Sequence, residues 1–69
     1  MTDDLALYET DRPAWLATVA PKQAARIADD TYDDASLAYA WASMQRDYQT
    51  AVWALLPEAQ RQRIRMLFP

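Results

Sequence analysis

The chain contains no glycine, cysteine, histidine or asparagine among its 69 residues. Each absence removes a class of chemistry. Phosphate-cradling loops depend on glycine, which lets the backbone approach a ligand closely and take positive φ at little cost. Without cysteine there is no disulfide framework, a composition suited to a reducing cytoplasm. Without histidine or cysteine the usual transition-metal ligands are missing. Covalent catalysis needs a nucleophile beside a base, yet Lys22 is the only lysine and Ser36 and Ser43 have no histidine partner. The adjacent carboxylates Asp33 and Asp34 would point about 100° apart on a helix. These residues predict no enzyme, no catalytic group, no cofactor and no metal site.

Long apolar runs are absent too. None approaches the roughly 20 residues needed to span a bilayer, and the acidic start, MTDDLALYETD, lacks the basic n-region of a signal peptide. The expectation is a cytoplasmic protein without a membrane partner.

What is present is hydrophobic and helical in pattern. Hydrophobic residues make up 52% of the chain, with three Trp and four Tyr. A single domain of this length buries only roughly 60% of its unfolded surface. Aromatic residues, at about 150–250 Å² each, help to thicken such a core, and a homodimer would add burial. Alanine is abundant and six arginines stand against one lysine, a bias common where coding DNA is GC-rich, as in many bacteria and their phages. The net charge is −3 and unevenly spread: residues 1–34 carry eight acids and three bases, residues 35–69 two acids and four bases. That split offers an acidic face to a basic partner and a small basic end.

Punctuation divides the chain into short helices. Thr2 or Asp3 can cap a first segment containing Leu5, Ala6 and Tyr8. Asp11 precedes Arg12 and Pro13, and proline is tolerated in a first turn. A helix over about 12–19 follows, with Trp15, Leu16 and Val19 as its apolar patch. Pro21 is expected to interrupt it and open a second helix over 21–28, with Ala24, Ile27 and Ala28 inward. Asp29 and Asp30 mark a stop, since carboxylates are unfavourable at a helix C-terminus. Thr31 is the expected N-cap of the next segment, with Asp33 and Asp34 in its first turn.

Residues 32–56 contain no breaker. Leu37, Trp41, Met44, Tyr48, Val52 and Leu55 recur at spacings of 4, 3, 4, 4 and 3, a helical stripe. A second stripe runs through Tyr39, Ala42, Arg46, Gln49 and Trp53, roughly 150° round the helix. The segment is either one long helix with two contact faces or two helices with a kink near 43–46. Pro57 should end it and open a last helix over 57–67. The fold class is all-α, a small bundle of four or five short helices. Its core comes from the first stripe, with Trp15, Ile27 and Ile64 packed on it.

Three surfaces are candidates for function. Asp29, Asp30, Asp33 and Asp34 form an acidic cluster that can steer a basic partner or serve as helix punctuation. A calcium loop would need a turn glycine and a bidentate Glu that are missing. Trp53, flanked on its face by Tyr39, Arg46 and Gln49, has the residue types that anchor interfaces, although a central helix would bury it. Arg61, Arg63 and Arg65 can reach for phosphates or complement the helix dipole. In an acidic domain they make a poor duplex-binding surface, so a nucleic-acid partner is not expected.

The stretch Trp41-x-x-Met44-x-x-x-Tyr48-Gln49-x-x-Val52-Trp53-x-Leu55-Leu56, followed by Arg61-x-x-Ile64-Arg65, resembles segments of small helical proteins encoded by phages and prophages. It covers about a third of the chain. The resemblance implies a protein that occupies a surface on a host enzyme, transcription factor or defence complex. The sequence thus predicts a non-enzymatic protein–protein interaction module that inhibits or redirects a larger partner. A structural homodimer and a nucleic-acid accessory factor are the alternatives.

Overall fold

The computed structural model describes residues 8–68, which form helices and short connections with no β-strand among them. Four helices lie wholly within this span: α1 (Arg12–Ala28), α2 (Asp34–Ser43), α3 (Arg46–Leu55) and α4 (Glu58–Leu67). Residues 8–10 are also helical and run up to Asp11. The expected caps Thr2 and Asp3, with Leu5 and Ala6, lie outside the described residues. The all-α class holds.

Asp11 caps α1, its carboxylate accepting from the Ala14 N–H at 3.3 Å, which satisfies one of the donors left open at a helix start. The expected interruption at Pro21 does not occur. α1 passes through it as one helix of 17 residues. Ala20, Ala24 and Ile27 are buried along one face, while Pro21 and Ala17 both face solvent. The carbonyl that loses its partner to the proline ring, that of Ala17, is therefore on the side open to water, and core burial carries the helix across.

α1 ends in a two-bond cap. The Thr31 N–H donates to the Arg26 carbonyl and the Asp30 N–H to the Ile27 carbonyl, both at 3.2 Å. This is the Schellman pattern, which normally places glycine at the left-handed position. Here that residue is Asp30, with φ of 58°. The following N-cap is Asp33, not Thr31: its Oδ1 accepts from the Ser36 N–H at 2.7 Å, and α2 starts at Asp34. The left-handed turn at Asp30 displaces the helix start by two residues.

Segment 32–56 is two helices. Met44 and Gln45 are extended, with ψ of 141° and 157°. The ends created by this break have partners. The Ser43 hydroxyl donates to the Tyr39 carbonyl at 2.8 Å and the Gln49 side-chain amide to the Trp41 carbonyl at 2.7 Å. From α1, Arg12 bonds both Gln45 and Asp47.

α1 packs chiefly on α3, and α2 on α4. Arg12 meets Asp47 near the starts of α1 and α3, and Pro21 and Ala24 share a groove with Leu55 near their ends. The two helices run in the same sense. The core between the elements is Ala20, Ala24, Ile27, Leu37, Val52, Leu56 and Ile64, with Trp41, Met44, Tyr48 and Trp53 half-buried against it. Leu55, expected in the core, is 52% exposed, and Leu56 is buried in its place. α3 stops at Leu55, and the extended backbone at Leu56, with ψ of 143°, turns the second leucine inward. Pro57 is the N-cap of α4 rather than its first residue.

Candidate protein-interaction surface

The break at Met44–Gln45 decides how the second stripe is displayed. Arg46, Gln49 and Trp53 stay together on one face of α3. Tyr39 remains on α2, 78% exposed, with Ala35 and Ala42 on the same outward, i, i+4, i+7 face. An open groove forms where α2 meets α3, lined by Trp41, Met44, Arg46, Gln49, Thr50 and Trp53. Sequence reasoning placed Trp41 and Met44 in the core stripe and missed their second role as the far wall of this groove. The signal for the near wall was present, since Arg46, Gln49, Thr50 and Trp53 follow i, i+3, i+4, i+7.

Trp53 is both packed and displayed. Its ring meets that of Trp41 at 5.9 Å between centroids, tilted by 52°. The guanidinium groups of Arg65 and Arg61 stand 5.5 and 5.8 Å from its centroid, within cation–π range. Arg61 also donates to the carbonyls of Trp53 and Ala54, at 3.0 and 3.3 Å, closing the C-terminus of α3 from the neighbouring helix. Arg61 and Arg65 both pair with Glu58.

The four clustered aspartates have mostly internal work. Asp34 accepts from Arg63 at 2.9 Å, and Asp30 lies 3.6 Å from the same guanidinium, which also donates to the Tyr32 carbonyl at 2.8 Å. Asp33 caps α2, and that hydrogen bond from Ser36, with the field of Arg63, holds its carboxyl below the usual range. Asp29 is the exposed C-cap of α1. Among the described residues no group of three or more His, Cys, Asp or Glu side chains is placed to hold a metal ion. The three C-terminal arginines, read from sequence as a possible phosphate-reaching set, turn instead toward carboxylates and backbone carbonyls of their own chain.

A second cluster had no counterpart in the sequence reading. The Arg12 guanidinium stacks over Tyr8 at 4.5 Å and over Trp15 at 4.7 Å. It also grips both oxygens of Asp47, at 2.7 and 2.8 Å. Trp15 makes edge contacts with Tyr8 and Tyr48, at 4.9 and 5.3 Å. Gln45 donates to the Tyr8 hydroxyl at 3.2 Å. The hydrogen bond from Arg12 holds the Asp47 carboxyl below its ordinary pKa, and the same guanidinium lowers the Tyr8 phenol. Burial raises the Tyr48 phenol. This cluster is a clamp between α1 and the start of α3, with its cation already occupied.

No helix among the described residues is long and apolar enough to cross a membrane. Comparison with known proteins gives no matching family model, no matching curated protein and no matching solved structure.

Proposed function

We propose that this chain is a non-enzymatic interaction module that docks on a larger protein through the Trp41–Trp53 groove, inhibiting or redirecting that partner. The observation that carries this reading is the composition of the groove. Two tryptophans and a methionine sit between Arg46, Gln49 and Thr50 on an open surface. Trp and Arg dominate binding energy at protein interfaces, and methionine adapts its shape to a partner. The acidic cluster contributes less than its charge suggests, because Arg63 already neutralises part of it. The resemblance to phage-encoded helical proteins supports a bacterial host protein as the target.

The test is affinity capture from bacterial lysate with the wild type beside Thr50→Arg and Tyr39→Ala. Both residues are exposed, so neither variant should disturb the fold. A specific protein retained by the wild type and by Tyr39→Ala but lost with Thr50→Arg is the expected result. Retention by Thr50→Arg would sink the groove as the docking site.

A second reading rests on α2. Ala35, Tyr39 and Ala42 form an outward apolar face that no described residue covers, a surface suited to a symmetric homodimer. Sedimentation over a range of concentrations checks it. A mass that rises with concentration in the wild type and stays monomeric in Tyr39→Ala would favour self-association.

A further inference from the structure

The interaction reading leaves the chemistry of the partner open, and the charges around the groove narrow it. Among the described arginines, Arg12, Arg61, Arg63 and Arg65 each pair with a carboxylate. Arg26, exposed on α1, and Arg46 have no ion pair and no side-chain hydrogen bond among the described residues, and of these two it is Arg46 that is exposed on the groove wall. Nearby, Arg61 and Arg65 over Trp53 share the single carboxylate of Glu58. The positive dipole end of α3 is already met by Asp47, whose carboxylate accepts from the Tyr48 N–H at 2.8 Å and pairs with Arg12, so the charge of the groove rests on the arginines. In a chain of net charge −3, this groove is a local excess of positive charge beside apolar rings.

We infer that the groove takes an acidic amphipathic segment of the partner protein. Its apolar side chains rest on Trp41, Met44 and Trp53, and a carboxylate meets the guanidinium of Arg46. This inference rests on the docking reading above and adds the sign and pattern of the ligand. Along α3 the groove runs from Arg46 to Trp53, roughly 10 Å at 1.5 Å per residue, which matches about two turns of an occupant helix. An apolar stripe on such a helix, flanked by glutamates, sets hydrophobic contact against the rings and charge against the rim.

A single-stranded nucleic acid is the competing anion, and the geometry disfavours it. Base stacking requires an open ring face. Trp41 and Trp53 are tilted against each other by 52°, so they offer no parallel pair of faces on which successive bases could stack. Nucleic acid also gains affinity by neutralising several phosphates with several cations, whereas Arg46 is the one groove-lining cation left unpaired among the described residues.

The test is fluorescence anisotropy with three labelled peptides of one repeating pattern: Glu/Leu, Gln/Leu and Lys/Leu. Oligo-dT serves as competitor. The wild type should bind the Glu/Leu peptide most tightly and the Lys/Leu peptide least. Arg46→Glu should weaken Glu/Leu binding about tenfold and shift preference toward Lys/Leu, as reversal of a rim charge does. This variant should keep its thermal midpoint, because an acid in a first helical turn is favourable. A wild type that binds Gln/Leu or Lys/Leu as tightly as Glu/Leu overturns the inference and leaves the docking reading standing. Displacement of the Glu/Leu peptide by oligo-dT, with a steep salt dependence, replaces it with nucleic-acid binding. Failure to bind any of the three peptides overturns both the inference and the groove as a docking site.

Discussion

Asp30 shows what the absence of glycine means for a single residue. A left-handed conformation costs a residue with a Cβ roughly 1–2 kcal/mol, and glycine avoids that at an entropic cost of about 0.5–1 kcal/mol. The carboxylate is 78% exposed and 3.6 Å from Arg63, and exposed pairs of this kind contribute about 0–1 kcal/mol. Relief of the backbone should therefore outweigh loss of the pair, and Asp30→Gly is expected to stabilise the fold by about 0.5 kcal/mol, measurable as a higher urea midpoint at unchanged m-value. Asp33 and Asp47 govern the acid limb. Both have folded-state pKa values below the ordinary carboxylate value, so each contributes stability above that value and loses it as pH falls through the depressed folded value. The thermal midpoint should fall steadily below about pH 4. In the Asp33→Asn/Asp47→Asn double variant the acid limb should flatten and the neutral-pH midpoint should be lower.

At the level of the helices, Pro21 is the clearest departure from the reading of the sequence. An interior proline ordinarily costs about 3 kcal/mol or more, which made a break at that position the natural expectation. The Pro21 ring faces water and Ala20, Ala24 and Ile27 keep the opposite side buried, so packing overrides the local cost. Pro21→Ala should restore the hydrogen bond to the Ala17 carbonyl and raise stability by about 1–3 kcal/mol, seen as a midpoint higher by several degrees and a stronger helical circular-dichroism signal. The break at Met44–Gln45 has the opposite origin. No residue there forbids a helix, and the stripe from Leu37 to Val52 runs through it in register. Gln49, Ser43 and Arg12 secure the break by contacts four to thirty-three residues apart, which periodicity cannot report. The same limit explains Leu55 and Leu56. Helical spacing chose the first, and the extended backbone before Pro57 chose the second. The helix types, the stops at Asp29 and Pro57, and the buried positions of Ile27, Leu37, Val52 and Ile64 were legible. Of the groove, Arg46, Gln49 and Trp53 were legible on one face, while the far wall needed the corner between two helices.

Across the molecule as a whole, charge and aromatic groups are placed so that distant segments are joined. Arg12 reaches 35 residues along the chain to Asp47 and Arg63 reaches 29 to Asp34. Arg12 supplies a planar fork to one carboxylate while stacking on two rings, a combination that lysine cannot reproduce. Arg12→Lys should therefore lower the thermal midpoint nearly as far as Arg12→Ala. A lysine variant that melts like the wild type would show that charge alone sustains the clamp. The negative first half of the chain is partly quenched by Arg63. The electrostatic character of the proposed docking groove is thus set more by the unpaired Arg46 than by the net charge.

The closure of helix termini by side chains from elsewhere has a further consequence. Arg61 holds the last carbonyls of α3 and Gln49 holds a carbonyl near the end of α2. In such an arrangement fraying of one terminus requires its neighbour to let go, so partial openings are suppressed relative to global ones. Backbone amides of α2 and α3 should then exchange with deuterium at a common limiting free energy, as one cooperative unit. Arg61→Ala would split that unit, letting the end of α3 exchange by a cheaper route while α2 remains protected.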